Sequence, residues 1–65
     1  MDKATELYNF IKANLVDSEH VSQKELDSTG YEIESLEDLL FYHTSWRDLD
    51  QAQEMLENGE FYSNM

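Results

Sequence analysis

Cysteine and proline are absent from this 65-residue chain, and glycine occurs only twice, at Gly30 and Gly59. Without cysteine, neither a disulfide framework nor a thiolate zinc site can form. Bases are scarce as well: four lysines and arginines stand against fifteen acids, for a formal net charge of −11. Long apolar runs are missing too. The longest, Leu39-Leu40-Phe41-Tyr42, is far shorter than the roughly 20 residues that span a bilayer, so no membrane segment is expected. No signal peptide is read at the start. At this length, residues 1–65 make one domain at most.

What is present is enough for a small core. Leu, Ile, Val and Phe together number fifteen, just above the composition that signals disorder in a highly charged chain. Stability is expected to be marginal, about a few kcal/mol, and self-repulsion lowers it further at low salt. A homodimer or another partner would supply what so thin a core lacks. The charge is uneven: residues 1–30 hold six acids and three lysines, while residues 31–65 hold nine acids and one arginine. Partners of the second half should therefore be basic, and phosphates or anionic membranes would be repelled.

The apolar residues are periodic, and their period is helical. Ala4, Leu7, Ile11 and Leu15 mark a first helix from about Asp2 to Val16, with Tyr8 and Phe10 on its shoulders. Ser22 and Glu25 have capping-box spacing and open a short helix, about Gln23 to Ser28, that Gly30 ends. Residues 31–34 read as a connection with Ile33 turned inward. Ser35 and Asp38 repeat the capping signature and open a third helix, about Leu36 to His43, with Leu36, Leu39, Leu40 and His43 on one face and Phe41 opposite. Ser45 and Asp48 open a fourth, about Trp46 to Asn58, with Trp46, Leu49, Gln53 and Leu56 inside, helped by Ala52, with Met55 further round and Gly59 as its stop. In the tail, residues 60–65, Phe61 and Tyr62 either fold back on the bundle or hang free. The expected class is all-α, a bundle of about four short helices.

One spacing resembles a helix-turn-helix unit: Leu26, Gly30, Leu36 and Leu39 occupy the apolar and glycine slots of that motif within residues 22–44. The resemblance implies two packed helices around a turn. Its usual work on DNA is opposed by charge, because Glu32, Glu34, Glu37 and Asp38 stand where a DNA reader needs lysine or arginine. No direct nucleic-acid contact is expected, and a DNA-binding regulator is the least favoured alternative.

Catalytic and metal chemistry find little footing. His20 and His43 are the only groups that ordinarily titrate near neutrality. Pairing His43 with Asp48, or His20 with Glu19, would be the functional reading; an edge-of-core His43 beside Trp46 and an exposed His20 is the simpler one. Asp48-Leu49-Asp50 lacks the later ligands of a calcium loop, since 52, 53 and 59 are Ala, Gln and Gly. Ser22, Ser35 and Ser45 sit where helix caps belong. No catalytic, metal-binding or cofactor-binding residue is assigned, and no cofactor is expected.

Aromatics and acids remain. Tyr8, Phe41, Tyr42, Phe61 and Tyr62 exceed what one narrow stripe per helix can bury, and Phe41 is turned away from its helix's leucines. The acids form two clusters: Glu32, Glu34, Glu37 and Asp38, then Asp48, Asp50, Glu54, Glu57 and Glu60. The expectation is a cytoplasmic, non-enzymatic interaction protein whose candidate contact residues are those acids up to Glu57 together with Phe41 and Tyr42. It would dock on a basic protein surface, with nucleic-acid-handling proteins as the obvious supply. The alternative is a DNA mimic, whose carboxylates themselves occupy a DNA-binding cleft. Small size and dense acidity suit a bacterial or phage-encoded regulator or inhibitor.

Overall fold

Asp2 starts the first helix by accepting the Thr5 amide on its Oδ1 at 2.8 Å, which satisfies one of the donors a helix start leaves open. A computed structural model describes residues 2–65. Helix α1 spans Lys3–Ile11 and runs on as a π-helical turn, Lys12–Val16. Side chains secure the widened turn: Asn14 Nδ2 donates to the Phe10 carbonyl at 2.9 Å, and the Asn14 carbonyl accepts from Ser18 Oγ at 2.8 Å and from the Tyr62 hydroxyl at 2.7 Å. The segment stops at Glu19, a left-handed residue (φ 68°).

Ser22 caps α2, Gln23–Asp27, as its spacing predicts, with its Oγ accepting the Glu25 amide at 3.1 Å. The chain then reverses through Gly30 (φ 65°) and Tyr31 (φ 63°). Helix α3, Ile33–Thr44, begins earlier than the expected Leu36. Starting at Ile33 places that side chain against the core, three residues before Leu36 and seven before Leu40, so Ser35 lies inside the helix and caps nothing. Ser45 is a second correction. It adopts the left-handed conformation (φ 71°) and ends α3, its amide donating to the Phe41 carbonyl at 2.8 Å.

Asp48 therefore caps α4, Leu49–Glu57, by accepting the Gln51 amide at 2.9 Å. Trp46 lies outside the helix; Leu49 and Ala52 are buried as their spacing predicts, but Met55 packs against them in place of Gln53 and Leu56, which are exposed. The end of α4 is a Schellman turn. Glu60 N–H donates to the Met55 carbonyl at 2.8 Å and Gly59 N–H to Leu56 at 3.2 Å, with Gly59 left-handed at φ 77°.

Helix α1 is the spine: α3 and α4 both pack on it, and α2 leans chiefly on the π-helical turn. The helix-turn-helix-like unit is correspondingly loose, with α2 attached more to the spine than to α3. The class is all-α, but the count is slightly off. Three helices of nine to twelve residues build the frame, and α2 is only five residues long. The tail folds back, with Phe61 only 1% exposed in the core. The radius of gyration, 10.5 Å, matches the roughly 11 Å of a folded chain this long.

Candidate functional site

Helix α3 buries Leu36, Leu40 and Thr44 and turns its other side to solvent. At about 100° per residue, Glu34, Asp38, Phe41 and Tyr42 share that outer face, with Glu37 at its border. Phe41 is 54% exposed and Tyr42 75%. Each aromatic follows a carboxylate by one turn, Glu37 before Phe41 and Asp38 before Tyr42. Such i, i+4 pairs hold their Cβ atoms about 5–6 Å apart. Glu32 stands at the start of the helix with no capping bond and, with Ile33 and Glu34, borders an open depression. The six candidate residues on or beside α3 are thus brought together on one helix.

The four on α4 form a separate group. Asp48 is committed to its cap. Asp50 faces Lys3 Nζ at 3.6 Å, an exposed pair of the kind that contributes about 1 kcal/mol or less. Glu54 and Glu57 follow Asp50 at helical spacing along the outer side of α4 and are exposed. No ion pair among the described residues involves Glu34, Glu37 or Asp38.

His43 is partly buried and His20 exposed, as the simpler reading of the sequence expects, and the pairings weighed against it, His43 with Asp48 and His20 with Glu19, are not among the described contacts. His43 Nε2 lies 3.0 Å from Glu25 Oε2, tying the end of α3 to α2, so its partner is Glu25 and not Asp48. The His20 ring meets Tyr62 edge-on at 5.3 Å. His20, Tyr42, His43 and Met65 line a shallow open basin beside the aromatic face. Sequence spacing gave no sign of the His43–Glu25 contact, which depends on how the turn at Gly30 and Tyr31 folds.

A second cluster was equally hidden. The Tyr8 hydroxyl donates to Asp27 Oδ1 at 2.7 Å, Gln23 Nε2 donates to both at 2.9 Å, and the Tyr31 ring stacks on Tyr8 with centroids 4.2 Å apart. The Asp27 carboxylate, by holding the phenol proton, pushes the Tyr8 pKa up to about 12. The bonds from Tyr8 and then Gln23 keep Asp27 below the ordinary carboxylate range. At neutral pH Tyr8 is therefore the neutral phenol and Asp27 the carboxylate, and the hydrogen-bonded cluster fastens α2 to α1.

Among the described residues, no three His, Asp or Glu side chains converge as metal ligands, and no helix is long and apolar enough to cross a membrane. Comparison with protein-family models, with curated proteins and with solved structures returns no match.

Proposed function

We propose that this protein is a small cytoplasmic, non-enzymatic interaction module, a regulator or inhibitor that docks through the outer face of α3 on a basic surface of another protein. A nucleic-acid-handling protein is the class of partner that most often carries such a surface. The observation that carries the reading is the exposure of Phe41 and Tyr42 amid unpaired carboxylates on one helix face. Aromatics dominate interface energetics once desolvated, while surrounding charge steers the encounter and selects the partner. The charge also counts against nucleic acid and anionic membranes as direct ligands.

A second reading, the DNA mimic, draws on the regular acid rows: Glu34 and Asp38 on α3, and Asp50, Glu54 and Glu57 on α4. In that case the carboxylates themselves supply the binding energy. Affinity capture from a lysate at low salt, with and without excess duplex DNA, separates the two. Retention of a basic protein that DNA leaves bound supports docking, whereas release by DNA supports mimicry. Failure to retain any basic protein at low salt removes both.

A further inference from the structure

We propose that the outer face of α3 recognises arginine rather than positive charge in general, so that its occupant is a protein segment presenting neighbouring arginines; this deepens the docking reading and rests on it. The specific feature is a repeated pair: Glu37 one turn before Phe41, and Asp38 one turn before Tyr42. Each pair sets a carboxylate beside an exposed ring. A guanidinium is planar and weakly hydrated, can lie flat on an aromatic face, and directs its N–H fork at a neighbouring carboxylate. An ammonium is a compact, strongly hydrated point charge that gains less from the ring. Because Phe41 and Tyr42 are consecutive, their pairs lie side by side about 100° apart around the helix, which suits two arginines better than one.

Charge complementarity decides among the possible occupants. No lysine or arginine occurs from Thr29 to Trp46, and none of the described ion pairs neutralises the three central acids of α3. A second copy of the chain would bring the same acids against this face and be repelled. Glu34, in the first turn of α3, suits the positive end of the helix dipole, but Asp38 lies beyond that turn and is a like charge at i, i+4 from it, an arrangement that destabilises an isolated helix. A cationic occupant turns that unfavourable pair into attraction.

The test is isothermal titration of the full chain at low salt with two peptides of equal length and charge, one carrying arginine and the other lysine. The arginine peptide should bind about tenfold tighter. Substituting Phe41→Leu together with Tyr42→Leu should erase that preference while leaving weak binding of both, and circular dichroism should remain unchanged because both rings are exposed. Glu37→Gln with Asp38→Asn should weaken both peptides. Equal affinity for the two peptides on the unaltered chain would overturn arginine recognition and leave basic docking standing. No binding of either peptide would overturn this inference and the docking reading together.

Discussion

The indole N–H of Trp46 donates to the carbonyl oxygen of Phe61 at 2.9 Å, joining the loop before α4 to the segment after it. The bond has a packing counterpart, since the Phe61 ring meets Phe10 edge-on with centroids 5.4 Å apart and is almost fully buried. The tail is therefore part of the core. Phe61→Ala should cost about 3–5 kcal/mol, as much as the whole stability expected of so small a domain. The expected result is loss of the cooperative thermal transition, with Trp46 emission shifted to the red. Phe61→Leu should keep a transition at lower temperature. An unaltered melting curve for Phe61→Ala would show that the tail is dispensable.

Which parts of this fold were legible follows from what each element depends on. Leu7, Ile11, Leu15, Leu36 and Leu40 repeat at helical period, and all are buried; their position is set by local spacing. Ser22 caps its helix because nothing competes for the Glu25 amide. Ser35 and Ser45 had similar spacing but lost to their surroundings: Ile33 gains core contact by extending α3 backward, and Ser45 is taken by the left-handed turn that ends the same helix. The inner stripe of α4 was legible at Leu49 and Ala52 but misphased toward its end, where Met55 faces the core and Gln53 and Leu56 face solvent. Within the candidate site, the outward turn of Phe41 was legible from period alone. The His43–Glu25 contact and the Tyr8–Asp27–Gln23 cluster were not, since they join residues fifteen to nineteen positions apart.

That cluster makes stability depend on pH at both extremes. Asp27 has a lowered pKa in the fold, so its contribution is present above the ordinary carboxylate pKa and is lost as pH falls through the folded value. Tyr8 has a raised one, so its contribution is complete below about 10 and declines as pH rises toward about 12. Between those limits the cluster adds no pH dependence. Tyr8→Phe removes the phenol and the bond it donates to Asp27. Chemical denaturation across pH should show its alkaline decline reduced relative to the unaltered chain, and its acid decline moved toward the ordinary carboxylate range. Identical profiles for the two proteins would mean that the cluster does not fasten the fold.

Acid crowding should make the protein more stable in salt. Screening is strong once the Debye length shrinks, about 10 Å at 0.1 M and about 3 Å at 1 M, and with fifteen acids against four bases the screened interactions are mainly repulsive. The melting temperature should rise with sodium chloride. Asp38→Asn should raise it further at low salt, by a stability gain of about 0.2–0.5 kcal/mol from relieving the Glu34–Asp38 repulsion, and the gain should vanish at high salt. Asp38 lies beyond the first turn of α3, so neutralising it forfeits no favourable interaction with the helix dipole. A melting temperature that falls with sodium chloride would indicate that attractive pairs, such as Lys3–Asp50, outweigh the repulsion.

The aromatic face should separate binding from stability. Phe41 and Tyr42 are exposed, Tyr42 with one edge-on ring contact to His43 at 5.0 Å, so replacing both with alanine leaves no core cavity and should change unfolding free energy by no more than about 1 kcal/mol. Leu40→Ala, one residue away but fully buried, should cost about 2–5 kcal/mol. With a captured basic partner, the kinetics divide in the same way. Neutralising Glu34, Glu37 and Asp38 together should slow association and flatten its dependence on salt, because those charges steer the encounter. Phe41→Ala should chiefly speed dissociation, because a docked aromatic acts after contact is made. Surface plasmon resonance at several salt concentrations reads both rates. If Phe41→Ala leaves dissociation unchanged while the acid triple variant abolishes binding, the carboxylates carry the energy and the protein works as a mimic of nucleic-acid phosphates.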